Sequence, residues 1–210
     1  MTQVKICGLS TAETMQAALD AGADMVGLVF YPRSPRNVSL AQASALAAQA
    51  RGRAKIVTLV VDADDALLKS IVNAVRPDYL QLHGSETPER VAEISKLFAV
   101  PVIKVIKVKE AADVAKAKAF NDVADLILFD AKAPEELLPG GNGLSFDWNL
   151  LKGKGGLFML SGGLTPDNVA EAIRLTRAPI VDVSSGVESL PGKKDISLIR
   201  KFIEQAKSAR

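Results

Sequence analysis

Short apolar runs recur at regular intervals along this 210-residue chain, and that regularity is the feature that most restricts its fold. Each run has the length and composition of a strand that is buried on both faces of a parallel sheet. The eight runs are residues 4–7, 25–30, 56–61, 79–82, 102–106, 126–129, 157–160 and 180–183. Parallel strands cannot be joined by tight hairpins, so each needs a crossover connection.

Segments with helical spacing supply those connections. They cover residues 11–21, 40–50, 66–75, 88–98, 166–175 and, after the last run, 196–206. Successive runs begin roughly 21 to 31 residues apart, which is the length of one strand and helix unit. Eight such units predict an α/β fold, a closed (β/α)8 TIM barrel, and the alternative is an open doubly wound sheet.

Several helix starts have recognisable signals. Ser10 and Glu13 form a Ser-x-x-Glu capping box, and Pro88 and Pro166 occupy predicted first helical positions. By contrast, residues 131–142 lack periodicity and are rich in Pro and Gly. We expect a long loop there, of the kind that serves as a lid or substrate clamp.

Composition limits the partners. The 26 basic and 24 acidic residues nearly cancel and are scattered, which argues against nucleic-acid or membrane partners. No apolar run approaches the roughly 20 residues of a membrane-spanning helix. One cysteine excludes an internal disulfide, and the amino terminus has no charged leader. We therefore expect a cytoplasmic protein with one domain over residues 1–210.

The residues directly after each run are the candidate site, because barrel enzymes build their active sites at the carboxyl ends of the strands. These candidates are Cys7, Gly8, Arg36, Asp62, His83, Lys107, Asp130, Gly162, Gly163, Ser184, Ser185 and Gly186. The small residues after the last two runs let backbone amides approach an anion, which predicts a phosphate site with a short helix opening at Ser185. One His, one Cys and scattered Asp offer no spacing for a zinc site.

Each reactive candidate has a simpler alternative. Cys7 is either a base or nucleophile or a small buried hydrophobe. Asp130 closes an apolar strand, where partial desolvation suits a general acid, but a helix cap or salt bridge fits as well. Arg36 is either a bidentate partner for a substrate carboxylate or a solvated loop residue. His83 either faces the same mouth of the barrel or is a structural imidazole.

Six ordered motifs resemble the phosphoribosylanthranilate isomerase family of tryptophan biosynthesis. They are VKICGL at residues 4–9, VFYPRSPR at 29–36, QLHG at 81–84, GGNGLSFDW at 140–148, SGGLTPDNV at 161–169 and VDVSSGVE at 181–188. The match runs the length of the chain. One departure is Asn142, where the family commonly has Thr or Ser.

The resemblance implies an Amadori rearrangement of N-(5-phosphoribosyl)anthranilate without a cofactor or metal. Cys7 would be the general base, Asp130 the general acid and Arg36 the partner of the anthranilate carboxylate. His83 and Asp182 would belong to the substrate site, and Gly162, Gly163, Ser184, Ser185 and Gly186 would hold the phosphate. A thiol is a workable base near neutrality, and nearby cations are expected to lower its pKa. Members of the family are monomers or homodimers.

Three other functions stay open at this point. Indole-glycerol-phosphate synthase requires a catalytic lysine at a strand end, for which Lys107 is the candidate. A bifunctional histidine and tryptophan isomerase would carry Asp at the position of Cys7. A silent barrel that binds a sugar phosphate as a regulator would lose the acid or the base, and a spectroscopic turnover assay separates it from an enzyme.

Overall fold

Eight parallel strands close into a barrel in the computed structural model, which describes residues 1–132 and 140–209. The strands are β1 Gln3–Cys7, β2 Met25–Phe30, β3 Lys55–Val60, β4 Tyr79–Leu82, β5 Val102–Val108, β6 Leu126–Ala131, β7 Met159–Leu160 and β8 Ile180–Val183. Each strand pairs with the next along the chain, and β8 pairs with β1. The predicted closed barrel is confirmed, and the open sheet is wrong.

Helices cover the outside of the barrel. They are α1 Ala12–Asp20, α2 Leu40–Ala50, α3 Asp65–Val75, α4 Pro88–Phe98, α5 Ala111–Ala115, α6 Val169–Thr176 and α7 Ile196–Ser208. A 3-10 helix at Lys116–Phe120 extends α5. In the described part of the chain the helical structure between β6 and β7 is the 3-10 turn Trp148–Leu151, so the repeating unit is incomplete there.

Two helix starts differ from the sequence prediction. Thr11, not Ser10, caps α1, and its hydroxyl accepts a hydrogen bond from the Thr14 amide. Pro88 does open α4 behind the Thr87 cap. Pro166, however, lies in a turn before α6, because the Asn168 side chain bonds to the backbone at both Gly163 and Thr165 and delays the helix.

Strand alternation decides which side chains enter the barrel. On β1, Val4 and Ile6 join the main core beneath the helices, whereas Lys5 and Cys7 point into the barrel. The deeper interior is apolar and contains Met25, Val57, Ile103, Val105, Leu126, Leu128, Met159 and Ile180. At the carboxyl ends of the strands the inward residues become polar, so the barrel presents its chemistry at that face.

A small hairpin after β8 was not predicted. It consists of β9 Glu188–Leu190 and β10 Lys193–Lys194, paired antiparallel, and it follows a 3-10 turn at Ser185–Val187. That turn is the short helix expected at Ser185. The hairpin strands contain charged residues and lack the apolar pattern of a buried strand, which is why the sequence gave no strand signal.

The predicted loop at residues 131–142 is described only in part. Ala131 belongs to β6, and residues 133–139 lie outside the described residues. Residues 140–143 return over the carboxyl face of the barrel. Among the helices of the described residues, none has the length and apolarity needed to cross a bilayer.

Candidate active site

An open cavity with two lobes occupies the carboxyl face of the barrel. The reactive lobe encloses about 520 Å³, and its lining includes Cys7, Arg36 and His83. The phosphate lobe encloses about 370 Å³ and is lined mainly by glycines, serines and their neighbours. The two lobes share Asp130, Gly140, Gly141, Ser161, Asp182 and Ser184. The ten residues that the family resemblance assigns to the site therefore all line one cavity.

Cys7 lies at the end of β1, with 3% of its surface exposed. Its neighbour across the ladder is Gly27 on β2. A Cβ atom at Gly27 would come within 2.9 Å of the Cys7 Sγ and 3.2 Å of the Lys5 Nζ. Only a glycine at this position leaves room for the thiol and the ammonium together.

Lys5 is fully buried inside the barrel beside the thiol. It is in register with Asp182 on β8, and its Nζ donates to Asp182 Oδ1 at 2.8 Å. The other carboxylate oxygen of Asp182 accepts a hydrogen bond from Ser161 Oγ at 3.1 Å. The Lys5 ammonium also lies close to the Cys7 thiol, since a Cβ atom at Gly27 would approach both groups. Desolvation lowers the pKa of Lys5, but the Asp182 carboxylate and Cys7 outweigh it and hold that pKa above its ordinary value.

Burial raises the pKa of the Cys7 thiol above its ordinary value. Lys5 and, more weakly, Lys194 oppose the rise, whereas the Asp182 carboxylate adds to it. The nearby cations lower the thiol pKa as expected, but desolvation of a buried thiolate exceeds the attraction of the ammonium groups, so the net shift is upward. The free protein consequently holds mostly neutral thiol near neutral pH.

Asp130 faces His83 from the next strand but one. Its side chain is 9% exposed, and Oδ1 accepts a hydrogen bond from the Ala131 amide at 2.9 Å. The His83 Nε2 lies 3.3 Å from Asp130 Oδ2, yet the pair is too poorly aligned to count as a hydrogen bond. Gln81 approaches the other ring nitrogen, Nδ1, at 3.4 Å.

Arg36 is buried and already paired. Its Nε and Nη2 donate to the two carboxylate oxygens of Glu188, both at 2.8 Å, and Nη2 also donates to the Gly141 carbonyl at 3.1 Å. Lys194 donates to the same Glu188 at 2.6 Å and to the Ser184 carbonyl at 2.9 Å. The solvated-loop reading of Arg36 is wrong. Because Glu188 occupies the fork, Nη1 is the guanidinium nitrogen left for a ligand.

The phosphate lobe depends on residues without side chains. Gly162 and Gly163 have φ values of 87° and 68°, in the left-handed region that glycine adopts without strain. A Cβ atom at Gly186 would lie 1.9 Å from the Leu164 carbonyl oxygen. These loops pack closely against neighbouring backbone and line the phosphate lobe, where small residues let backbone amides approach an anion.

Three strand-end candidates, Gly8, Asp62 and Lys107, line neither lobe of the cavity. Lys107 belongs to β5, which extends two residues beyond the predicted run, and it lines neither lobe. Asp62 accepts a hydrogen bond from the Ser85 amide and packs against Gly84, so its role is to hold a loop. Within residues 1–132 and 140–209, no three His, Cys, Asp or Glu side chains are grouped to hold a metal ion.

Sequence reasoning missed three participants in the site: Lys5, Glu188 and Lys194. Lys5 had a usable signal, because a lysine two residues before Cys7 on a buried strand shares its face, and buried lysines are rare unless paired. Glu188 and Lys194 had none, since their partners depend on a hairpin that the apolar pattern does not reveal.

Comparison with known proteins agrees with this geometry. The family model of N-(5'-phosphoribosyl)anthranilate (PRA) isomerase matches residues 4–205. The chain is 58% identical over 208 residues to N-(5'-phosphoribosyl)anthranilate isomerase of Rhodopseudomonas palustris (strain BisA53), covering 98% of this chain and 95% of that protein. It is 54% identical over 209 residues to the enzyme of Bradyrhizobium sp. (strain ORS 278), with the same coverage of 98% and 95%.

Solved structures extend the comparison. Phosphoribosyl anthranilate isomerase from Thermotoga maritima superposes with a TM-score of 0.88 at 36% identity, covering 99% of both chains. A phosphoribosyl anthranilate isomerase in complex with reduced 1-(o-carboxyphenylamino)-1-deoxyribulose 5-phosphate superposes with a TM-score of 0.86 at 34% identity, again over 99% of both chains. The chain therefore belongs to the N-(5'-phosphoribosyl)anthranilate isomerase family.

Proposed function

We propose that this protein converts N-(5'-phosphoribosyl)anthranilate to 1-(2-carboxyphenylamino)-1-deoxyribulose 5-phosphate, an aldose–ketose isomerisation in tryptophan biosynthesis. The proposal rests mainly on the set of residues that line one cavity. Cys7, Asp130 and Arg36 line its reactive lobe, and the glycine and serine loops line its phosphate lobe. A substrate with a phosphate at one end and a carboxylate at the other spans these two lobes.

Asp130 acts first, as the general acid. It donates a proton to the furanose ring oxygen, the bond from that oxygen to C1 breaks, and the anilino nitrogen supplies the electron pair that forms the C1–N double bond. The product of this step is an open-chain protonated Schiff base. Asp130 lines both lobes, which supports a role as the acid between the phosphate and the aromatic ring of the substrate.

Cys7 acts second, as the general base. Its thiolate removes the C2 proton, and the electron pair of that C–H bond moves into the iminium to give an enolamine. The enolamine then tautomerises to the aminoketone. The substrate's own nitrogen is the electron sink, so the chemistry requires no cofactor. The raised thiol pKa means that ionisation accompanies catalysis, with the proton released to solvent, and the cationic iminium favours the anionic sulfur.

The alternative enzymes fit the cavity less well. Indole-glycerol-phosphate synthase chemistry needs a catalytic lysine in the cavity, and Lys107 lines neither lobe. Lys5 also lines neither lobe, and its ammonium is fully buried and paired with Asp182, so it offers no free amine. A bifunctional histidine and tryptophan isomerase would have Asp where this chain has Cys7.

One phosphorylated small molecule is the partner that this site requires. Every group assigned above comes from one chain, so a monomer and a homodimer both contain complete sites. A relative from Thermotoga maritima is dimeric, with monomeric forms also crystallised. The family match over residues 4–205 supports one domain that carries the whole site, and we propose that this domain works in the cytoplasm.

A spectroscopic turnover assay tests the function. Substrate is generated in place from anthranilate and phosphoribosyl pyrophosphate, and the decay of its aromatic fluorescence is followed on addition of the protein. We expect first-order conversion to the ribulose product, with inorganic phosphate acting as a competitive inhibitor. Tight binding of a product analogue without any turnover would instead favour the regulatory barrel, and the proposal would be wrong.

A further inference from the structure

The ion pair below Cys7 has no part in the chemistry described above. Lys5 and Asp182 are buried within the barrel, with side chains 0% and 7% exposed, and their atoms lie 2.8 Å apart. Burial of an ion pair offers little net stability, since the cost of desolvating both charges offsets their attraction. An apolar pair would fill the barrel as well. The position of this pair therefore calls for a reason other than stability.

The thiol supplies that reason. Lys5 and Cys7 are two residues apart on β1, so their side chains share the inward face of the barrel, where the ammonium lies beside the thiol. Gly27 on β2 pairs with Cys7 and, because it has no side chain, provides the space in which the thiol and the ammonium meet. Asp182 bonds the same ammonium from β8. One cation is thus shared between a carboxylate and a sulfur.

We propose that Lys5 is a positioning residue: its buried ammonium orients the Cys7 sulfur and stabilises its anionic form, while Asp182 limits this effect by competing for the same ammonium. The inference rests on the proposed function for its catalytic meaning, because it assigns the state of the base in that reaction. It concerns the chemistry of one thiol, and that chemistry is measurable without turnover.

The other charges around Cys7 do not duplicate Lys5. Lys194, on β10, acts on the thiol in the same direction but more weakly, and it is committed to Glu188 at 2.6 Å and to Ser184. Arg36, His83 and Asp130 line the same lobe, and none of them is a main influence on the thiol. Lys5 and Asp182 therefore exert the dominant and opposite influences of charge on the sulfur.

The test is the rate at which iodoacetamide alkylates Cys7 as a function of pH. Cys7 is the only cysteine in the chain, so the modification reports on this thiol alone. In Lys5→Met the side chain keeps its length and loses its charge. We expect the midpoint of the profile to rise by roughly one to three pH units, which slows alkylation at a fixed neutral pH by about 10-fold or more.

Asp182→Asn should shift the pH midpoint of Cys7 alkylation in the opposite direction. The amide keeps the shape of the carboxylate but removes the competing charge, so the thiolate becomes the nearest anion to Lys5. We expect the midpoint to fall and alkylation at neutral pH to accelerate. A purely structural ion pair predicts that both variants alter thermal stability and leave the midpoint unchanged. This variant also decides the question by itself if Lys5→Met does not fold.

Lys104→Met is the matched control. Lys104 is equally buried in the barrel wall, pairs with Glu86 at 2.6 Å and has no contact with Cys7 among those the structure gives. Its loss should destabilise the fold to a similar degree without moving the alkylation midpoint. An equal shift in Lys104→Met, or no shift in Asp182→Asn, would overturn the inference.

The readouts separate this inference from the proposed function. If the wild-type protein turns over substrate and the midpoints do not move, only the role of Lys5 fails. If the midpoints move as expected and no turnover is found, the proposed function fails while the ammonium still controls the thiol. Under both proposals, Lys5→Met should lower kcat/KM at neutral pH and recover part of the loss as the pH rises.

Discussion

The two lobes of the cavity are built from different materials. The reactive lobe is formed by side chains that alternate inward from the strands, among them Cys7 and Asp130, and by the buried Arg36. The phosphate lobe is formed by backbone, where Gly162, Gly163 and Gly186 bring peptide groups into close contact. Side chains determine the reactive lobe, whereas the absence of side chains determines the phosphate lobe.

This difference predicts how each lobe responds to substitution. In the reactive lobe, removal of one functional group should lower the rate of turnover and leave the shape of the cavity intact. In the phosphate lobe, removal of a hydroxyl should cost little, but addition of one methyl group should disturb the anion site. The five predictions below test this contrast, from the largest expected effect to the smallest.

Cys7→Ala should reduce turnover by about 10⁴-fold or more, because the base that removes the C2 proton is lost. Binding of a product analogue should stay nearly unchanged, since the alanine removes no phosphate or carboxylate contact. Steady-state kinetics with calorimetric titration of the analogue checks both. Wild-type-like turnover in Cys7→Ala would move the role of base to His83.

The wild-type pH profile offers an independent check on the same residue. Because burial raises the thiol pKa, the active thiolate form grows as the pH increases through neutrality, so kcat/KM should rise toward the alkaline range. Cys7→Ser should be almost as inactive as the alanine variant, since a hydroxyl is a far weaker base. A profile that is flat over this range would contradict the assignment of a thiolate base.

Asp130→Asn should lower kcat by roughly 10²–10⁴-fold, the range for loss of a general acid. The amide keeps an oxygen for the Ala131 amide hydrogen bond, so the structure should be preserved. The double variant with Cys7→Ala should show losses that are strongly non-additive, because both groups serve one reaction. Near-native activity in Asp130→Asn would place the acid elsewhere.

Gly186→Ala should raise KM by at least about 100-fold, because displacement of the loop costs charge-assisted hydrogen bonds of about 1.5–3 kcal/mol each. The new Cβ meets the Leu164 carbonyl oxygen, which is backbone and cannot swing away. Ser185→Ala is the control, and it should change KM by less than about 10-fold. A larger effect of Ser185→Ala than of Gly186→Ala would show that hydroxyls, not backbone, hold the phosphate.

Arg36→Lys should raise KM more than it lowers kcat, with a loss of about 1.5–3 kcal/mol in binding. A lysine cannot bond Glu188 through two nitrogens and also present a third to the substrate. Measurement of KM and kcat, together with inhibition by free anthranilate, checks whether binding is affected more than turnover. An unchanged KM would mean that Arg36 serves only to tie Glu188 to the Gly141 loop.

Sequence reasoning located most of the site because the relevant information is local. All eight predicted strands lie within two residues of their observed bounds, since apolar runs of this length report burial on both faces. The seventh is the shortest, because its strand begins two residues after the predicted start and is only Met159–Leu160. The residues that follow each strand then face the same cavity in any closed parallel barrel, which is why Cys7, His83 and Asp130 meet.

The sequence-based prediction was wrong about the start of α6 and missed the hairpin after β8. Asn168 ties the backbone at Gly163 and Thr165 and moves the start of α6 past Pro166. The hairpin at residues 188–194 is exposed on most of its surface, so it leaves no apolar pattern, although it provides the carboxylate that pairs with Arg36. Side-chain hydrogen bonds and ion pairs of this kind cannot be predicted from the spacing of apolar residues.

By itself the sequence determined the barrel, the order of its strands and the residues at their ends, because strand alternation and segment length are properties of neighbouring residues. Only the tertiary structure decided which charges meet. Lys5 and Asp182 are 177 positions apart, and Arg36 and Glu188 are 152 apart, yet both pairs are buried and in contact. The upward shift of the Cys7 pKa follows from desolvation and from those charged contacts. The desolvation and the contacts arise only when the barrel closes.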